Sequence, residues 1–159
     1  MAKLDADAVQ AARVMIDAFR LAADADGASG ILSGVLDGLA SLVQHDAAGI
    51  YVVDRRGKRL RHTMVRGCDL PVPKLEAPFA GQGIVGNVLA TGQAAASSDS
   101  SEEMSVGRPC ARSRLVVPIV SSRSKVLGAL DVWSDLPGGY DENATALITL
   151  YGLAVAGAI

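Results

Sequence analysis

The chain lacks a basic surplus, a metal-spaced set of cysteines, a long apolar run and any internal repeat, and each absence removes a class of function. Fifteen Lys and Arg stand against seventeen Asp and Glu, a formal net charge of -2. Nucleic acid is thereby excluded as a bulk partner, because phosphate binding needs a marked basic excess or a clustered basic face. Small molecules and other proteins remain. The two cysteines, Cys68 and Cys110, lie 42 positions apart with no CxxC and no histidine at metal spacing, so neither suggests a zinc site and no metal is expected. No stretch approaches the roughly 18 apolar residues that a membrane span needs. The start, "MAKLDADAVQAAR", carries acids and no continuous apolar core, which is unlike a secretory signal. A cytoplasmic location, with no membrane partner, is the expectation.

What is present is an ordinary globular composition, 50% apolar and 20% charged. At 159 residues the expectation is one domain over 1–159, able to bury a core without metal or disulfide staples. From Leu4 to about Ala23, Leu4, Ala8, Ala11, Met15, Phe19 and Ala22 recur at helical spacing. Asp24-Ala25-Asp26-Gly27 breaks that helix, and Ser29 is expected to cap a second one with its stripe at Ile31, Leu32, Val35, Leu36, Leu39, Leu42 and Val43. The period then falls to two. "AAGIYVVD" and "KRLRHTMVR", joined by Asp54-Arg55-Arg56-Gly57, predict a hairpin, and "SRLVVPIV" and "KVLGALDVW", joined by Ser121-Ser122-Arg123-Ser124, predict a second. Pro118 inside the latter demands a bulge or an edge-facing position. Between the hairpins come the proline-rich "DLPVPKLEAP", a short helix in "GIVGNVLATG" ended by Gly92, and a polar loop of about sixteen residues, long enough to be a functional lid. A closing helix is capped by Asp141, with Glu142 in its first turn and a stripe at Ala144, Leu147, Ile148, Tyr151, Val155, Ala158 and Ile159.

Gly81-Gln82-Gly83-Ile84-Val85-Gly86 spells GxGxxG, the dinucleotide fingerprint, but its surroundings do not support that reading. A nucleotide fold needs a buried strand just before the first glycine and repeated βαβ units. Here "KLEAPFA" is short and broken by Pro78, and the elements run helix, helix, hairpin, short helix, hairpin, helix. The glycines read better as a tight entry to a short helix (Gly81, Gly83), a close packing point (Gly86) and a left-handed stop (Gly92).

Taken in order, "GQGIVGNVLATGQAAASSD", "SRLVVPIV" and "KVLGALDVWS" resemble the GAF domain family over nearly the whole chain. The resemblance implies an α+β fold, related to PAS domains, with a central antiparallel β-sheet of five to six strands and the N- and C-terminal helices on one face. It implies a small-ligand pocket on the other face, roofed by the variable middle. It further implies a sensory or regulatory role, homodimerisation through the terminal helices (1–23 and 141–159), and output to an effector such as a histidine kinase, cyclase or phosphatase, as in bacterial two-component signalling. One branch of the family is enzymatic, the free methionine-(R)-sulfoxide reductases, which need a thiolate and a resolving cysteine. This chain departs from that branch. Val85 replaces a cysteine of the glycine turn, and Arg114 and Trp133 stand where the branch has two carboxylates that hold the amino acid's ammonium. Cys110 lies two residues from the catalytic cysteine's position. The reductase and a ligand-free dimerisation module are the alternatives, and a non-enzymatic sensor is the reading. Cys110-Ala111-Arg112 lacks the histidine and the spacing of bilin-binding members, and the Asn-Lys-Phe-Asp-Glu signature of cyclic-nucleotide binders is missing. No cofactor is identified, and the ligand stays unnamed.

The candidate pocket residues are Phe79, Ile84, Val85, Cys110, Arg112, Leu115, Asp131 and Trp133, on the glycine turn and the lid-facing side of the sheet, with the lid around 97–112. Arg108, Arg112 and Arg114 read first as solvent-facing, and second as an anion-binding mouth. Trp133 is either a pocket wall or a core aromatic. His62 is expected in the core with a bonded ring nitrogen. Cys68 and Cys110 read as small buried hydrophobes, with an exposed thiol at Cys110 as the alternative, and Arg55, Arg56, Lys58, Arg59 and Arg61 as a solvated turn. The apolar stripe running to Ile159 is expected to pair with the first helix of the same or another subunit, or to continue into an effector.

Overall fold

A computed structural model describes residues 6–24, 26–54, 59–67, 83–97 and 112–159. Phe79, Cys68, Cys110, Arg108, Gly81, the "DLPVPKLEAP" stretch, most of the expected lid and the turn residues 55–58 lie outside them, as do the side chains of Phe19 and Ala22. The described elements are α1 (Ala6–Asp24), α2 (Gly27–Leu42), β1 (Ala47–Val53), β2 (Leu60–Arg66), α3 (Gly83–Thr91), β3 (Ala95–Ser97), β4 (Ser113–Val120), β5 (Val126–Ser134) and α4 (Glu142–Ala156).

The five strands form one sheet in the order β2-β1-β5-β4-β3, antiparallel throughout. Two hairpins, β1–β2 and β4–β5, are joined along β1 and β5, and the three inner strands β1, β5 and β4 are buried over nearly their whole length. The first hairpin closes with the Asp54 amide donating to the Arg59 carbonyl at 2.8 Å, and the second with Ser124 donating to Ser121 at 2.9 Å. Pro118 pairs with Ala129 of β5 on one side, and β3 reaches only Arg114–Val116 on the other. A residue without an amide is tolerated there because that part of β4 has no β3 partner, and a register shift follows at Ile119 and Val120. Gly128 sits where β1 and β5 come closest. A Cβ there would fall inside the envelope of the Tyr51 carbonyl oxygen.

Each strand divides its residues between two faces. Ala48, Ile50, Val52, Leu115, Val117, Ile119, Leu130 and Val132 meet Leu32, Val35, Leu36 and Leu39 of α2 and Ile148, Tyr151 and Val155 of α4 in the main core. Full burial of such a side chain contributes about 1.5–3 kcal/mol. Two polar contacts fix this helix layer. The Tyr151 hydroxyl donates to the Val35 carbonyl at 2.7 Å, and burial with the nearby Asp37 charge pushes its pKa up, so it remains a donor. Arg66 of the edge strand pairs with Asp37 at 2.5 Å and donates to Ser33 Oγ at 2.6 Å, tying β2 to α2. On the opposite face α3 lays Val85 and Val88 against Tyr51, Val116 and Ala129. Gly83 and Gly92 bracket α3 with φ of 71° and 67°, the left-handed region.

Some sequence expectations shift. Ser29 lies inside α2, not at its cap: Asp26 takes the N-cap without a side-chain bond, because Gly27, at φ 77°, already turns the chain into the helix. Asp141 caps α4, its carboxylate accepting from the Ala144 amide at 2.8 Å. The stripe of α4 is buried at Ile148, Tyr151 and Val155, but the helix ends at Ala156 and Ile159 is exposed. His62 is half-buried on the edge strand, opposite Val52 of β1, and so is not enclosed in the core. Gly128→Ala is expected to force β1 from β5 and to cost about 3 kcal/mol or more, a fall in melting temperature of roughly 6–12 °C. A melt of the variant by circular dichroism checks this.

Candidate functional site

Strand parity decides what faces away from the helix layer. In β4 the helices take Leu115, Val117 and Ile119, which turns Arg114 and Val116 to the other side. In β5 they take Leu130 and Val132, which turns Asp131 and Trp133 the same way as Arg114. Arg114 lies directly across the ladder from Trp133, and Asp131 is the next residue along β5 on that face.

These three side chains interlock. Arg114 Nε donates to Asp131 Oδ1 at 3.0 Å and Nη2 to Oδ2 at 2.6 Å, a two-pronged pair, while the guanidinium lies over the Trp133 ring at 4.7 Å from its centroid. Asp131 and Trp133 are 0% exposed and Arg114 is 7% exposed. An isolated carboxylate cannot be kept charged at such depth, so the cation beside it is obligatory. Burial pushes the Asp131 carboxyl up, opposed by the Arg114 charge and by hydrogen bonds from Arg114 and the Tyr51 hydroxyl. Tyr51 reaches it because the residue opposite Asp131 on β1 is Gly49, over which the tyrosine ring lies. The planar fork of arginine suits this role, holding a carboxylate with its edge and an aromatic ring with its face.

Next to the pair opens a cavity of about 220 Å³ lined by Ala96 and Ser97 of β3, Ser113 and Arg114 of β4, and Gly138 and Tyr140 of the β5–α4 loop. The loop is held over it by a small set of bonds. Ser113 Oγ donates to the Leu136 carbonyl at 2.7 Å and accepts from the Gly139 amide at 3.3 Å, and Asp46 accepts from the Asp135 amide at 2.8 Å. The Tyr140 hydroxyl and the Trp133 indole N–H are buried without a hydrogen-bond partner among the described residues. Burial, and then the charges of Asp46 and Asp131, push the Tyr140 hydroxyl up, so it stays protonated and able to donate. Among the described residues no three His, Cys, Asp or Glu side chains gather to hold a metal ion.

The residues expected at the pocket fall in different places. Asp131 and Trp133 share the face away from the main helix layer, and Val85 is buried there beneath α3 with Ile84 half-buried beside it. Leu115 is a correction: it points into the helix-side core, one parity step from Arg114. Arg112 is exposed, its amide donating to the Ser134 carbonyl at 2.8 Å. Phe79 and Cys110 lie outside the described residues. Arg114 is also a correction, because it does not face solvent but is locked to Asp131. Tyr51, bonded to Asp131, and Tyr140, lining the cavity, carry no mark in the sequence that points to the site. A signal for Arg114 did exist: an aspartate inside the apolar strand "GALDVW" needs a cation, and the neighbouring strand offers only one.

Arg114→Leu leaves Asp131 buried and unpaired and is expected to destabilise the fold by about 3–5 kcal/mol near neutral pH. A carboxyl whose pKa is raised on folding stabilises the fold at low pH, and that contribution is lost as pH rises through the raised value. The deficit of Arg114→Leu should therefore shrink on acidification, and the double variant Arg114→Leu/Asp131→Leu should recover most of it. Urea unfolding across pH measures all three.

No curated relative matches the sequence. Among solved structures, the free methionine-R-sulfoxide reductase of Neisseria meningitidis, in complex with its substrate, superposes with a TM-score of 0.74 at 20% identity, over 99% of this chain and 92% of that one. The GAF domain of the Acinetobacter phosphoenolpyruvate-protein phosphotransferase gives 0.73 at 19% identity, over 92% and 90%. That of the Coxiella burnetii phosphoenolpyruvate-protein phosphotransferase gives 0.73 at 15%, over 96% and 94%. Identities this low speak for the fold alone. The five-stranded antiparallel sheet, flanked by four helices among the described residues, is the fold these structures share. Residues 26–159 match the profile of the GAF domain, and the chain belongs to that family.

Proposed function

We propose that this chain is a regulatory GAF domain that binds a small molecule on the sheet face away from its main helix layer and signals through its terminal helices. The observation that carries this reading is the Arg114–Asp131 pair standing beside a cavity walled by Ser97, Ser113, Arg114 and Tyr140.

The alternative is the sulfoxide reductase, since structures of such enzymes share this fold. Two features weigh against it. The positions that in the reductase branch hold the substrate's ammonium with carboxylates are here Arg114 and Trp133, stacked on one another. A guanidinium there repels an ammonium. Val85, packed into the α3 cluster, supplies no thiol. Incubation with free methionine-(R)-sulfoxide and a thiol donor is expected to give no turnover, whereas a panel of nucleotides, amino acids, 2-oxo acids and haem should contain a compound that raises the melting temperature. Turnover abolished by Cys110→Ser would reverse the assignment, and a silent panel would favour the ligand-free dimerisation module.

The signalling surface follows from what the helices leave uncovered. Val9 and Ile16 of α1 and Leu150 and Leu153 of α4 are half-exposed or more, and a groove between the two helices is lined by Met15, Ile16, Arg20 and Ala154. Large side chains grouped in this way suit a second copy of the chain. Ile16→Glu combined with Leu153→Glu is expected to give a monomer whose own stability changes by less than about 1 kcal/mol. Light scattering after gel filtration, alongside urea unfolding, tests both statements.

A further inference from the structure

Nearly half of the positive charge in the chain gathers at one end of the sheet. Val52 of β1 pairs with Gly128 of β5, so two residues further on Asp54 stands level with Val126, and the β1–β2 and β4–β5 turns leave the sheet side by side. Arg59 and Arg61 beside the first turn and Arg123 and Lys125 on the second are exposed. Across the row β2-β1-β5-β4 they spread over about 14 Å, three strand spacings. The second turn is fixed from within, Ser121 donating to the Lys125 carbonyl at 2.8 Å and Ser124 to that of Ser121 at 2.9 Å. Arg55, Arg56 and Lys58 fall in the connection between Asp54 and Arg59, outside the described residues. None is more than two residues from one of those anchors, about 7 Å of chain, so their charge belongs to the same end. Asp54 is the one acid on the two turns, so seven of the fifteen Lys and Arg stand here beside one of the seventeen acids. Elsewhere eight stand against sixteen. The first turn by itself reads as solvated; only the sheet brings the second turn beside it.

We propose that this end of the sheet is a docking surface for an acidic, extended segment of a partner protein, with Arg59, Arg61, Arg123 and Lys125 as its cations. At physiological salt, charges farther apart than about 8 Å are largely screened from one another. An approaching carboxylate therefore meets the local cations and not Asp46, Asp135 and Asp141 at the far end of β5, about 26 Å away. The arginine fork takes a carboxylate through two parallel bonds, and about four residues of extended chain span the row. The basic stripe is narrow. On one face of the sheet α3 ends at Thr91, with Gly92 against Val126; on the other α4 passes the Pro118 carbonyl at Gly152 and ends at Ala156. Both helices thus turn their carbonyl ends, which carry partial negative charge, toward this end. A nucleic-acid duplex or a lipid surface is broader than the stripe and would bring negative charge against those carbonyls, whereas a single extended segment lies between them. The surface lies apart from the cavity, and its test does not depend on the ligand.

A short fluorescent peptide of alternating Glu and Ser, titrated with the full chain at low and at physiological salt and followed by anisotropy, tests this. Beside it run the same peptide with Gln for Glu, a short labelled DNA duplex, and vesicles containing phosphatidylserine. The Glu peptide is expected to bind, more weakly at physiological than at low salt, and the Gln peptide not to bind. The double variant Arg59→Gln/Arg61→Gln and, separately, Arg123→Gln should each weaken the Glu peptide, by about two- to fivefold per arginine removed, the worth of an exposed ion pair. Arg13→Gln, which removes an exposed arginine of α1, should leave it unchanged. All of these side chains are exposed, so the variants should melt with the parent by circular dichroism. No binding of the Glu peptide, equal binding of the Gln peptide, or an affinity untouched by Arg123→Gln overturns the inference. So does a loss in Arg13→Gln as large as in the turn variants, or tighter binding of the duplex or the vesicles, which would assign this end to another class of partner. The regulatory reading fails separately, on the nucleotide, amino acid, 2-oxo acid and haem panel.

Discussion

A carboxylate lies at zero exposure in the middle strand of the sheet, and much of the pocket face follows from that constraint. Asp131 requires a cation within bonding distance, which fixes the side chain of Arg114 across β4 and β5. Arg114 in turn covers Trp133, and the ring of Tyr51 fits over Gly49 to complete the carboxylate's partners. Hydrophobic burial could fill the same volume with leucines at equal or lower cost. Retaining the pair leaves a polar surface of defined geometry where an apolar one would bind without orientation.

The two faces of β4 connect this polar surface to the helix layer. Arg114 and Val116 look toward the pocket, while Leu115, Val117 and Ile119 are packed under α2 and α4. At Gly152 α4 approaches so closely that a Cβ would stand 3.1 Å from the Pro118 carbonyl oxygen. Tyr151, one residue earlier, is bonded to α2. A shift of β4 along its own axis would therefore meet a helix with no slack, in keeping with close-packed interiors that move between discrete arrangements.

Much of this architecture was legible because the hydrophobic period changes where the structure does. The turn from "LASLVQHD" to "AAGIYVVD" and the alternation in "KRLRHTMVR" mark α2, β1 and β2 to within a few residues, and Asp141 announces α4 by capping chemistry. The pocket was harder to read for a definite reason. Seven of the eight residues of β4 are buried, so alternation, the usual guide to facing, vanishes from "SRLVVPIV". Leu115 and Arg114 therefore cannot be told apart in facing from the sequence. The partner that makes Arg114 an interior residue lies seventeen positions away on another strand, and no local pattern records such a pairing. Tyr140, one residue before a helix cap, reads as loop; only the Gly139 and Asp135 amides donating to Ser113 and Asp46 reveal that the loop is held in place.

Pro118 has a further role at the flank of the sheet. Strand β3 is three residues long and stops short of it, so among the described residues the outer half of β4 has no strand beside it to take up its amides and carbonyls. Proline has no amide to lend, and the register shift at Ile119 and Val120 twists the remainder off line. The strand that carries the buried arginine is in this way a poor template for sheet growth between molecules, a protection against edge-to-edge aggregation built into its sequence.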